Sequence, residues 1–146
     1  MEAKSKHDEL VALANKLFIH TDYRQWSKLL SDVFTETVLF DMSSLGAGDP
    51  AQLRAVDICD LWEKGFAGID SVHHQSGNFL VDFRSDDSAD IYCYAIAIHF
   101  KEAATQGKTR EFVGSYDLHA VLTDIGWRID GFRYNVKFVT GNVELK

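Results

Sequence analysis

Cysteine is scarce in this chain, and so is positive charge. Cys59 and Cys93 are the only cysteines among 146 residues. They lack metal-ligand spacing and nothing suggests secretion, so free thiols in the cytoplasm are the expectation. Lys and Arg number 15 against 22 Asp and Glu, a net charge of −7. That deficit argues against a nucleic-acid partner, whose phosphates attract a basic face, and against an anionic membrane surface. Long hydrophobic runs are missing too: none approaches the ~18 residues of a spanning helix. The opening "MEAKSKHDEL" is polar, unlike a secretory signal. Repeats, low-complexity tracts and linkers are not found, so residues 1–146 read as one domain. A chain this long buries roughly 68–70% of its unfolded surface, which leaves room for a core and a cavity.

What is present changes character near residue 70. Leu10, Leu13, Ala14, Leu17 and Phe18 form the stripe of an amphipathic helix over 6–19, and Ser5 with Asp8 fits a capping box. A second helix is expected over about 23–33, capped by Thr21 or Asp22, with Trp26, Leu29, Leu30 and Val33 on one side. Residues 35–42 read as a strand. A third helix is expected to start at Asp49–Pro50, with proline in its first turn, and to end near Gly65 or Gly68. Four strand-like segments follow, at 72–83, 89–101, 110–123 and 127–140, with tight connections at "RSDDSAD" and "TDIGW". Helices followed by a meander of strands is an α+β pattern.

Strand parity sorts the candidate site. Cys93, Ala95, Ala97 and His99 share one face, a row of small residues ending in a histidine. It either floors a cavity or presses against a helix. If it floors a cavity, Leu17 or Trp26 stands opposite. Tyr92, Tyr94 and Ile96 take the other face, which is suited to subunit packing. Ser115 and Asp117 are polar in mid-strand, facing either solvent or the polar end of the same pocket. His73 and His74 are adjacent, so alternation sends them to opposite faces.

The phrase formed by Asp22, Trp26, Leu29, Phe34, Val38 and Asp41, with "GWRIDGFR" closing the chain, resembles the SnoaL-like branch of the nuclear transport factor 2-like superfamily. The likeness spans residues 6–140. It implies a cone-shaped (cystatin-like) α+β fold, a curved antiparallel sheet wrapped around three N-terminal helices. Within that superfamily the pattern is most similar to scytalone dehydratase. Asp22 stands before the tryptophan phrase, His74 precedes Gly77 by three, and His99 follows Tyr92 by seven. Ser115 matches the family serine and Asp117 replaces an asparagine. The resemblance implies His74 as the acid–base residue, Asp22 and His99 as a supporting pair, and Ser115 and Asp117 as substrate positioners. The two tyrosines that hold a water against the substrate carbonyl in the dehydratase are Thr21 and Met42 here. Tyr23 and Tyr94 lie nearby, off the matching positions. Asp41 falls where ketosteroid isomerases of the superfamily keep a carboxylate base.

The residues also have plain structural readings. Asp22 can cap a helix, His74 can sit at a strand end in solvent, and His99 can be a satisfied wall histidine. The expected function is a cofactor-independent dehydratase or isomerase acting on a small, mostly apolar oxygenated ring, without a metal. The alternative is a non-catalytic binding domain for a hydrophobic small molecule. An Asp22–His99 hydrogen bond facing a cavity would favour the enzyme, and a cavity lacking that contact would favour the binding domain. A homo-oligomer, dimer or trimer, is expected in either case.

Overall fold

The computed structural model describes residues 4–146. Helix α1 (Lys6–Asp22) is capped by Ser5, whose hydroxyl accepts the Asp8 amide at 3.1 Å. Its expected stripe, Leu10 to Phe18, is buried. The helix runs one turn further than the periodicity indicates, so Thr21 and Asp22 end α1 instead of capping the next helix. Arg24 then takes a left-handed backbone (φ 53°) that turns the chain. Helix α2 (Trp26–Lys28) is short and passes into a π-helical turn, Leu29–Val33, which buries Leu29 and Val33.

Strand β1 (Phe34–Asp41) is followed by a 3₁₀ turn at Ser43–Leu45. The third helix starts later than Pro50. Ala51–Arg54 form a strand, β2, paired antiparallel with β1 through Val38 and Leu53, and helix α3 spans Ala55–Gly65. Proline lacks an amide hydrogen, and it stands just outside this edge strand, where no ladder donor is required.

The meander then follows: β3 (Ser71–Ser85), β4 (Ser88–Phe100), β5 (Thr109–Thr123) and β6 (Gly126–Gly141). The sheet order is β2-β1-β6-β5-β4-β3. The curved sheet and its three helices make the expected α+β cone, with one correction. β1 pairs parallel with β6, so the sheet is mixed instead of antiparallel. A parallel neighbour needs a crossover connection, and here the rest of the chain supplies it. The core lies between α1 and the inner sheet face, where Leu10, Leu17, Ile58, Ile91, Leu118 and Ile129 are fully buried. No helix among the described residues is long and apolar enough to cross a membrane.

Candidate active site

A cavity of about 130 Å³ opens between α1, α3 and the inner face of β3–β6. Its wall is aromatic and aliphatic: Leu17 and Phe18 from α1, Trp62 and Phe66 at the end of α3, Phe112 and Tyr116 from β5, Phe132 and Tyr134 from β6. Thr21, Met42, Leu45 and Ala97 complete it, and the two polar rings that enter are His74 and His99.

Asp22, Thr21 and Phe18 share a helix face because they are three and four positions apart. α1 lies over β3, and this brings the Asp22 carboxylate onto His74. Oδ1 of Asp22 is 2.5 Å from Nδ1 of His74, and Oδ2 accepts the His74 backbone amide at 2.9 Å. Both side chains are 10% exposed. A carboxylate in the last turn of a helix opposes the helix dipole, and these two bonds offset that placement. Phe18 stacks on the imidazole at 5.4 Å between centroids. With Nδ1 engaged, Nε2 of His74 has no partner among the described residues, and the ring lines the cavity. His73 points outward, beside Gln75.

The expected Asp22–His99 hydrogen bond is absent, the outcome that by itself favours a binding domain; Asp22 holds His74 instead. His74 faces Ala97 across the β3–β4 ladder, and His99 lies opposite Val72, two positions along the same face. β3 therefore stands between α1 and β4, and the carboxylate meets His74 first. His99 is instead held from the far side, where Nε of Arg110 donates to its Nδ1 at 3.0 Å. Burial, then the Arg110 charge, then His74, push the His99 imidazole down to about 4.

Other expected residues take other places. The register Cys93↔Tyr116 and Ala97↔Phe112 puts the even-numbered residues of β5 on the cavity face. Ser115 and Asp117 therefore face away from it, and both accept from Asn135 Nδ2. Phe40 turns inward onto Trp62 and Phe132, which sends its neighbour Asp41 outward. There Ser43 donates to Asp41 from its hydroxyl and its amide and holds the carboxyl below its usual range. Asp41 does not line this cavity. Tyr23 is 75% exposed and lies outside it. Trp26 stands one layer behind the wall, stacked on Phe66 and donating to Glu63. Ala97 is in the floor.

Thr21 and Met42, at the positions of the family tyrosines, do line the cavity. The Thr21 hydroxyl donates to the Leu17 carbonyl at 2.6 Å. The tyrosines actually in the wall are Tyr116 and Tyr134. Their signal was parity: Phe112, Tyr116 and Leu118 form the apolar row of β5. Burial pushes the Tyr134 phenol up to about 12 and Tyr116 well above its ordinary range, so both stay protonated. The Tyr134 hydroxyl is buried without a partner among the described residues. Only glycine at 114 lets its ring lie across β5, since a Cβ there would come within 2.8 Å of that hydroxyl. Among the described residues no group of three or more His, Cys, Asp or Glu side chains could hold a metal ion.

Residues 3–133 match the family model described as a SnoaL-like domain. No curated protein matches the chain in sequence. Among solved structures, the Kfla4162 protein of Kribbella flavida is 24% identical with a TM-score of 0.90, covering 99% of this chain and 98% of its own. A presumptive scytalone dehydratase of Novosphingobium aromaticivorans is 17% identical with a TM-score of 0.76, covering 92% and 86%. A hexachlorocyclohexane dehydrochlorinase, LinA-type3 of Novosphingobium barchaimii, is 13% identical with a TM-score of 0.74, covering 92% and 88%. At these identities the likeness establishes the fold.

Proposed function

The chain belongs to the SnoaL-like domain family, and on that premise we propose that it is a cofactor-independent lyase that expels water from a small single-ring ketone. One observation carries the reading. A largely buried carboxylate, Asp22, holds Nδ1 of His74 and leaves Nε2 without a partner on a ring that lines an apolar cavity. A carboxylate on one imidazole nitrogen fixes the tautomer and supports the charge that arrives on the other. Nε2 is then a base for a proton beside a carbonyl and, once protonated, an acid for the departing hydroxyl. A dry cavity of ~150 Å³ accepts benzene, so about 130 Å³ suits one six-membered ring. Two structural neighbours carry the names of eliminations, a dehydratase and a dehydrochlorinase. Free, buried Cys59 and Cys93 suit the cytoplasm. The apolar outer face of β3–β6 suits a dimer.

The reading is tested by turnover of monocyclic β-hydroxy ketones, beginning with 3-hydroxycyclohexanone, followed by the absorbance of the enone formed. His74→Ala is expected to cost on the order of a hundredfold or more, and His73→Ala little. Asp22→Asn is expected to lower kcat with less effect on KM, because shape is kept while tautomer and charge are disturbed. A His74→Ala variant as active as the parent excludes the mechanism. Ring ketones that bind but are never turned over leave a binding domain in its place.

A further inference from the structure

His74 and His99 both line the cavity, each with Nδ1 engaged and Nε2 without a partner among the described residues, but their partners set opposite roles. Asp22 accepts from Nδ1 of His74, so Nε2 of that ring carries a lone pair. Arginine has only donors. Arg110 Nε donates to Nδ1 of His99 at 3.0 Å, so that nitrogen holds the lone pair and the ring proton sits on Nε2. Arg110 is itself held in place. Its Nη1 donates to the Val143 carbonyl at 3.0 Å, and its guanidinium lies 5.4 Å from the Phe112 ring centre. His99 packs edge-on against Phe66 and tilted against Phe112, and its Nε2 has no partner among the described residues and is not sealed off.

Of the other donors that border the cavity, the Tyr116 hydroxyl and the Trp62 indole have no hydrogen-bond partner among the described residues, but neither is held by a charged neighbour as His99 is held by Arg110. Thr21 is bonded to Leu17, Met42 has no donor, and the Tyr134 hydroxyl is closed in over Gly114. We propose that Arg110 is a positioning residue that locks His99 as a neutral Nε2–H donor, and that this donor holds the carbonyl oxygen of a single-ring ketone. The pairing with His74 rests on the lyase reading; the lock and the carbonyl site do not. Nε2 of His74 takes the α-proton, and the C–H electron pair moves into the enolate, whose oxygen is bonded to His99. The enolate then re-forms the carbonyl and expels the β-hydroxyl, which leaves as water with the proton from His74. His99 keeps its proton throughout. A preorganised donor in an apolar, water-poor site gives more stabilisation than the same bond in water. The imidazole's pKa of about 4 keeps it neutral at physiological pH.

Two measurements test this. Histidine-labelled protein examined by NMR should show His99 with its proton on Nε2 at pH 7, and Arg110→Met should mix in the other tautomer. Carbonyl-labelled cyclohexanone should show a lowered C=O stretch on binding. His99→Phe should abolish that lowering and weaken cyclohexanone roughly tenfold, while methylenecyclohexane, the same shape without an acceptor, binds as before. His74→Ala should leave the lowered stretch intact. An Nδ1–H or charged His99 in the parent at pH 7 overturns the lock, whether or not Arg110→Met folds. A carbonyl frequency that is unshifted in the parent, or unchanged by His99→Phe, overturns the carbonyl site. If the stretch and tautomer behave as expected but no β-hydroxy ketone is dehydrated, the lyase reading falls and the donor site stands.

Discussion

His99 is a base that the fold keeps uncharged, and that leaves a trace in stability apart from any reaction. Its pKa in the folded chain is about 4, against about 6.5 for an exposed histidine. Between those values the unfolded chain binds a proton that the folded chain refuses. The stabilisation is therefore complete above about pH 6.5 and is lost as pH falls toward 4. From pH 7 to pH 5 this one group should cost the parent roughly 2 kcal/mol. Urea unfolding at the two pH values should show that loss reduced by a similar amount in His99→Phe, which keeps a ring between Phe66 and Phe112. Equal losses in parent and variant would mean that His99 titrates normally. At this scale the two histidines were legible, since His74 and His99 do border one cavity, while Asp22 stands behind His74 and outside its lining. Their partnering was not. Spacing along the chain says which face a residue takes, while the choice between His74 and His99 for Asp22 depends on which strand lies under the end of α1. Arg110 gave no signal at all, because an arginine at a strand start reads as an exposed charge until the register Arg110↔His99 is known.

Elements carry the cavity through the contrast between two strands. β4 offers Cys93, Ala95 and Ala97, while β5 opposite offers Gly114 between Phe112 and Tyr116. Small residues on one ladder leave the space that large rings on its neighbour enclose. Ala97→Trp should fill that space from the floor. It is expected to abolish cyclohexanone binding in a calorimetric titration while the protein still unfolds in one cooperative transition. Undiminished binding would place the ligand elsewhere. The small face of β4 could be read from alternation alone, and so could the four long strands, to within about two residues at each end. The inner face of β5 is legible in the same way, in its apolar row of Phe112, Tyr116 and Leu118, with the polar Ser115 and Asp117 on the other face. What alternation cannot give is pairing. Ala51–Arg54 is a strand only because β1 offers it an edge, and β1 runs parallel to β6 because 84 residues of helix and meander separate their ends. Those are tertiary facts with no local cause in the sequence.

For the whole molecule, the outer face of the sheet is the feature without a partner. The same alternation that puts Ala95 and Ala97 inside puts Tyr94 and Ile96 outside, 41% and 40% exposed. Leu80 pairs with Tyr92 on that face, and Phe138 pairs with Val113 beside it, with Leu80 68% and Phe138 56% exposed. Contiguous apolar patches of this kind are uncommon on soluble monomers and mark association surfaces. Charge is sparse in the middle of it, where Lys137 lies over the Tyr94 ring at 4.0 Å and turns its stem along the apolar surface. A second copy of the same chain is the partner that such a self-complementary sheet face fits, packed face to face about a two-fold axis. The net charge of −7 per chain opposes that packing at low ionic strength and is screened over about 8 Å at physiological salt, so association should strengthen as salt is raised. Light scattering at micromolar concentration is expected to give about twice the mass of one chain. Replacing Tyr94 and Ile96 together with aspartate should halve it and leave the cavity, on the other side of the sheet, able to bind cyclohexanone. A threefold mass would keep the face and change the symmetry. A single-chain mass for the parent across the salt range would mean that the outer face is simply solvated.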